Sequence, residues 1–333
     1  MPHLGTVSDD GRFISVDADD LLYPRIRRLV FSTPWAILPE KMAVISELIA
    51  LRSRGMRFSV EEIQSRIGTV QPRSGSGGGA VAVIPVFGVL SQRMNLMSAM
   101  SGGTSTEQLG EQIRDAMNDD AVSAIVFDVE SPGGNVNGIP ELADEIASYR
   151  GQKPMVAVAN PIMASGAYWL MSQCNEIVVT PSGEVGSIGV ITAHEDWSAA
   201  YDAAGIKTTL ISAGKFKAEG NPFEPLSQEA RDAIQSRVDD YYGMFVDAVA
   251  RGRGTTSKAV QAGFGEGRVV GANDAVRMGM ANRVDTLKGT IARLSSGQGR
   301  ARVKASIDDH SMTASEEFEL AVAEHEHAKL IAL

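Results

Sequence analysis

One arrangement limits what this chain can fold into more than any other: an apolar strand that ends in a small-residue turn and runs into a helix, repeated about thirty residues further on. The first copy is Ser123–Val129, followed by Ser131-Pro132-Gly133-Gly134 and a helix expected from about Pro140 to Tyr149. The second is Met155–Ala159, which delivers the chain to Pro161-Ile162-Met163-Ala164-Ser165-Gly166-Ala167-Tyr168-Trp169. Continuous apolar runs without alternation belong to strands buried on both faces of a parallel sheet. Parallel strands bring their C-terminal turns to one edge, so the two turns are expected to meet there. An α/β fold follows.

Ser165 is the candidate nucleophile. Small residues on both sides let a substrate backbone approach the hydroxyl, and a helix starting at or just after Ser165 would aim free N–H groups at an oxyanion. Serine is also a common helix N-cap, and that reading stands beside the first. Gly133 and Gly134 allow positive φ and put no Cβ in front of a backbone N–H. They make either a plain strand-to-helix turn or one half of an oxyanion hole whose other half is the N–H of Gly166.

A serine nucleophile needs a base. Of the five histidines, His3, His310, His325 and His327 lie in the tails, and His194 is expected to open a helix beside Glu195 and Asp196 as a solvated or capping residue. A lysine is the better candidate, because burial favours the neutral amine that can accept the serine proton. Ile206–Ile211 is expected to be a strand leading into a polar loop, Ser212–Pro222. There Lys215 and Lys217 share one face if the loop is extended, with Phe216 opposite; by default such lysines are solvated surface charges.

Together Ser131-Pro132-Gly133-Gly134, Ala164-Ser165-Gly166, Gly186-Ser187-Ile188-Gly189-Val190 and Lys217 resemble, in order and spacing, the S49 serine peptidases of the signal-peptide peptidase A group. The stretches Gly186–His194 and Gly214–Pro222 are similar to the head-maturation proteases of lambda-like tailed phages within that family, and the resemblance spans about Val81–Val284. It implies a ClpP/crotonase-like fold of repeated strand-strand-helix units and a Ser-Lys dyad. Ser165 then matches the nucleophile, Lys217 the general base, Gly133 and Gly166 the oxyanion positions, with Gly134 beside them. Ser187 matches a serine that orients the lysine amine. Ala167 departs from the family, where many members carry a second glycine. The resemblance further implies protein substrates (scaffold, portal or coat proteins of a phage head, with the chain itself a further candidate), a homo-oligomer, and no cofactor.

The remaining sequence sets the boundaries. A net charge of −10 and no basic run longer than Arg27-Arg28 argue against a nucleic-acid partner. Met1–Asp10 lacks the pattern of a signal peptide and no apolar run reaches membrane-spanning length, so no membrane partner is expected. The expected location is the host cytoplasm within an assembling capsid, or the bacterial cytoplasm if the chain is prophage-encoded. Cys174 reads as a small buried apolar residue. Residues 1–70 are expected as a helical extension, with helices at Pro39–Arg54 and after the capping box Ser59-Val60-Glu61-Glu62. Residues 71–79 read as a Gly/Ser-rich linker, 80–294 as the catalytic domain, 295–312 as a second linker and 313–333 as a C-terminal helix. Thr104-Ser105-Thr106-Glu107 is expected to cap a helix running to Asn118. The helix from Ser227 to Ala250 is expected to bury Ile234, Val238, Tyr241, Phe245 and Val249. Two other functions share parts of this pattern. A crotonase-type acyl-CoA enzyme would use the fold and oxyanion hole without the dyad, and a silent head or scaffold protein would not react with a serine-directed probe.

Overall fold

The two apolar runs become the central strands of a seven-stranded sheet. A computed structural model describes residues 33–53, 80–93 and 103–296, together with an antiparallel pair formed by β1 (Gly5–Val7) and β2 (Phe13–Ser15). In chain order, β3 (Trp35–Ile37) precedes α1 (Pro39–Ser53). Then come β4 (Ala80–Phe87), β5 (Leu90–Ser91), β6 (Thr104–Ser105) and α2 (Thr106–Asn118). The next unit is β7 (Val122–Ser131), β8 (Gly133–Asn135) and α3 (Ile139–Ser148). It is followed by β9 (Met155–Ala164) and α4 (Gly166–Met171), then β10 (Glu176–Val179) and β11 (Glu184–Gly186). The domain is completed by α5 (Ser198–Ala203), α6 (Gln228–Arg253), α7 (Ser257–Gly263), β12 (Val269–Gly271), α8 (Ala272–Arg277), β13 (Arg283–Val284) and α9 (Leu287–Ser295).

This is an α/β architecture built from strand-strand-helix repeats. Strands β4, β7, β9 and β10 run parallel in the main sheet, while β5 and β8 belong to a small second sheet ordered β3-β8-β5-β6. The ten-residue β9 serves two partners on one side: its first half pairs with β10 and its end with β11. One sheet face packs on α2, α3, α4 and the C-terminal half of α6, where Trp169 stacks on Phe245 with ring centroids 4.6 Å apart. The other face packs on α9. Buried Glu176 accepts from both Arg283 and Arg293 and so ties β13 and α9 to β10. Pro85 is tolerated because β4 pairs only with β7 in this sheet.

Several local expectations are corrected. Ser105, one residue beyond the expected Thr104, caps α2 by accepting from Gln108 N–H at 3.4 Å. Thr104 instead bonds the Phe87 backbone on both sides. Only the C-terminal half of α6 enters the core: Phe245 and Val249 are buried, whereas Ile234 and Val238 are half-exposed, because the helix outruns the sheet beneath it. Residues 206–211 form no strand. They lie exposed and without a ladder, since a strand needs a neighbour to pair with and this chain offers them none among the described residues. The capping box at Ser59–Glu62, the linker 71–79, nearly all of 295–312 and the helix 313–333 lie outside the described residues.

Candidate active site

The register between β7 and β9 sets Ser131 against Met163, so the turn after each strand emerges at the same edge. On the far side of β9, β11 aligns Gly186 with Ala164. Ser165 N–H donates to Gly186 O at 2.7 Å, which brings Ser187 next to the serine turn. Ser165, Gly133, Gly134, Gly166 and Ser187 are thus assembled by three parallel strands far apart in sequence.

Ser165 occupies the one residue between β9 and α4, with φ 53° and ψ −121°. A non-glycine residue there is strained, and such strain concentrates at functional turns. The capping interpretation of this serine does not hold: its side chain makes no cap bond. Its hydroxyl is buried, with the residue 1% exposed, and has no hydrogen-bond partner. A buried unpaired hydroxyl costs about 1–3 kcal/mol, and structures keep such groups where chemistry needs them. Ser187 is also buried at positive φ, 54°, held by a bond from its N–H to Arg268 O.

Buried Ser131 shapes the glycine turn. Its hydroxyl donates to Gly88 O at 2.6 Å and accepts from Gly133 N–H at 3.3 Å. The Gly133 amide is therefore turned toward Ser131, and the next amide, Gly134 N–H, points at Ala36 across the β3–β8 ladder. Gly133 has φ 97°, and a Cβ there would run into the Ala36 carbonyl oxygen and lie 2.9 Å from both Gly166 N and Ser165 Cβ. A Cβ on Gly166 would lie 3.1 Å from the same oxygen and 3.4 Å from Gly134 N. A side chain at either glycine would therefore meet the Ala36 carbonyl oxygen, which takes up the space beside both.

That space is filled by a segment the sequence did not single out. Strand β3 pairs antiparallel with β8 on one edge, Ala36 opposite Gly134. On its other edge Trp35 exchanges both backbone bonds with Ile191, at 2.8 and 2.9 Å. No local pattern in Pro34–Leu38 pairs it with residues about a hundred positions away, so nothing short of the tertiary fold reveals it.

The lysines lie elsewhere. Lys215 Nζ pairs with Glu229 at 3.0 Å and sits over the Phe216 ring. Lys217 is exposed in the turn after Gly214, and its amine has no hydrogen bond or ion pair among the described residues. Within one chain no hydrogen bond joins it to Ser165. His194 lies in a coil before α5 and opens no helix; its Nε2 meets Asn221 O at 3.0 Å and so fastens the loop that carries Lys217. Cys174 is buried, and its thiol is pushed up to about 12 by burial.

The structure thus places a strained, buried serine at a strand-to-helix turn beside the glycine turn of Gly133 and Gly134. Residues 147–300 match the family model described as Peptidase family S49. Capsid assembly protease C of Escherichia phage lambda is 33% identical over 242 residues, which are 69% of this chain and 55% of that protein. Head-tail preconnector protein GP5 of Enterobacteria phage P21 is 34% identical over 236 residues, 67% of this chain and 47% of that protein. The chain therefore spans about half the length of these two relatives. Among solved structures, the 1510-N membrane-bound stomatin-specific protease covers 65% of this chain and 85% of its own with a TM-score of 0.41 at 13% identity. No helix among the described residues is long and apolar enough to cross a membrane.

Proposed function

We propose that the chain is a serine endopeptidase that cuts scaffold, portal or coat proteins during maturation of a phage head, in the host cytoplasm inside the assembling capsid. The observation that carries this reading is the buried, unpartnered hydroxyl of Ser165 on a strained turn packed against Gly133. The names of the two phage relatives support the setting.

Ser165 Oγ attacks the scissile carbonyl carbon and gives its proton to the neutral amine of Lys217. The oxyanion is held by the N–H groups of Gly134 and Gly166. Collapse of the tetrahedral species breaks the peptide C–N bond, and the lysine returns its proton to the leaving nitrogen. Water then hydrolyses the acyl-serine by the same route in reverse. Gly133 keeps the turn open by having no side chain, and Ser187 orients the lysine amine.

Lys217 reaches Ser165 in a homo-oligomer, with a neighbouring copy supplying it. In the single chain Lys217 is exposed, and so are the apolar Ile206, Leu210 and Ile211 on the unpaired stretch just before it. A second copy that covers this stretch would withdraw water from Lys217, which favours the neutral amine. The test is co-expression with the neighbouring head proteins and mass analysis of the products. Defined fragments from the parent and none from Ser165→Ala are expected; identical products from both would overturn the reading.

A further inference from the structure

We propose that Asn221 is a positioning residue for Lys217: with His194 it clamps the far end of the lysine loop, so that the amine is presented at one place. This deepens the peptidase reading and rests on Lys217 as the base that serves Ser165.

The clamp stands out by its burial. From residue 205 to 217 every position is exposed, yet Asn221, shortly past the lysine, is only 4% exposed. Burying an amide is costly unless its polar groups find partners. Asn221 finds them within its own loop. Its Nδ2 donates to Ala218 O at 2.7 Å and to Glu224 Oε1 at 2.6 Å, and its Oδ1 accepts from Phe223 N–H at 2.9 Å. Reversing the amide would set its nitrogen against the Phe223 N–H, so these partners fix its orientation. Ala218, whose carbonyl is held, adjoins Lys217 in the chain.

The same residue fastens the loop to the body of the domain. His194 Nε2 lies 3.0 Å from Asn221 O, and because a carbonyl only accepts, that nitrogen carries the proton. Trp197 N–H donates to Pro222 O at 2.9 Å, and Tyr201 sets a tilted ring 5.3 Å from that of Phe223. Upstream, the same segment runs back to Ile191, fixed by its two bonds with Trp35, and to Ser187 beside the serine turn.

The near end of the loop is steadied as well. Lys217 N–H closes a turn onto Gly214 O at 3.1 Å, and Lys215 is engaged by Glu229 and the Phe216 ring. The backbone on both sides of Lys217 is therefore held, and only its side chain extends free. A neighbour that borrows this lysine needs it at a fixed offset from the body of the chain that lends it. A base displaced by about 1 Å can lose about 10²-fold in rate.

The experiment measures how fast a fluorophosphonate probe labels Ser165 in the purified, assembled full chain, from mildly acidic to alkaline pH. Labelling of the parent should quicken with pH as the lysine loses its proton, and Ser165→Ala should stay unlabelled. Asn221→Ala should lower the limiting labelling rate about 10²-fold and flatten its rise with pH, with the half-saturating probe concentration unchanged. In a Lys217→Ala background the same change should cost nothing further, because Asn221 acts only through the lysine.

Parent-like labelling of Asn221→Ala, or a second loss of equal size in the Lys217→Ala background, would overturn the inference and leave Ser165 and Lys217 in their roles. A parent that is not labelled at Ser165, or a Lys217→Ala variant labelled as fast as the parent, would sink the peptidase reading itself and the inference with it. If Asn221→Ala fails to fold or assemble, Asn221→Asp decides, since it keeps the size and the acceptor for Phe223 N–H. It should label slowly, and adding Glu224→Gln, which returns one bond with donor and acceptor exchanged, should recover roughly tenfold. No recovery would also overturn the inference.

Discussion

The serine half of the site and the lysine loop are built in opposite ways. Around Ser165 every backbone element is fixed by a ladder: β7 against β9, β9 against β11, β8 against β3. Around Lys217 there is no ladder at all, and from residue 205 to 217 every position is exposed. One half is held tightly enough to keep a strained serine; the other lacks a surface to rest on. Stability and chemistry should therefore respond separately when each half is altered.

The largest effects test whether the halves work as one unit. Ser165→Ala and Lys217→Ala should each lower proteolysis at least about 10³-fold, with the double variant no worse, since nucleophile and base act together. Mixing the two inactive variants should restore activity if a neighbour supplies the lysine; a mixture that stays silent while each variant still assembles would place both residues in one subunit. Lys215→Ala should be mild, because its surface pair with Glu229 contributes under about 1 kcal/mol.

Next comes the buried frame. Glu176→Ala leaves Arg283 and Arg293 facing a buried void, and should lower unfolding stability by about 3 kcal/mol without changing subunit association. Denaturant titration checks it, and a loss below about 1 kcal/mol would mean the frame is less rigid than its ladders suggest. Ile211→Asp is the mirror case. Ile211 is 97% exposed, so monomer stability should stay within about 0.5 kcal/mol while sedimentation shows loss of oligomer and activity falls with it. An unchanged oligomer would remove this stretch from the interface.

The smallest effect is alkaline. Burial raises the thiol of Cys174 to about 12 and raises the Tyr168 phenol too, so both groups hold their protons longer folded than unfolded. The Cys174 contribution is complete below the ~8.5 of an unfolded thiol and is lost as pH climbs toward the folded value, by up to ~1.4 kcal/mol per pH unit. Cys174→Ala should flatten this decline in urea midpoints above pH 9. At pH 8 the native thiol, about 10⁻⁴ ionised, should resist iodoacetamide until the chain unfolds.

The sequence carried whatever depends on neighbours along the chain. Two apolar runs, each closed by small residues, specified parallel strands and a shared edge, because burial on both faces leaves no other use for them. The glycines of Ser131-Pro132-Gly133-Gly134 announced a turn where a side chain could not fit. Ser131 itself was legible as part of that motif but not as the group that turns the Gly133 amide away, since its partner Gly88 lies 43 residues earlier.

What joins distant parts was decided only in three dimensions. Ile206–Ile211 has the composition of a strand, yet composition states a capacity to pair and not the presence of a partner. Trp35-Ala36-Ile37 carries no catalytic residue type, yet the fold lays it along Gly133-Gly134-Asn135. A backbone carbonyl takes its partner from the strand that lies beside it, and Ala36 finds Gly134 roughly a hundred residues along the chain. Local residue chemistry thus determined which turns could host a reaction. Long-range strand pairing, which no short stretch encodes, determined which segments lie beside them.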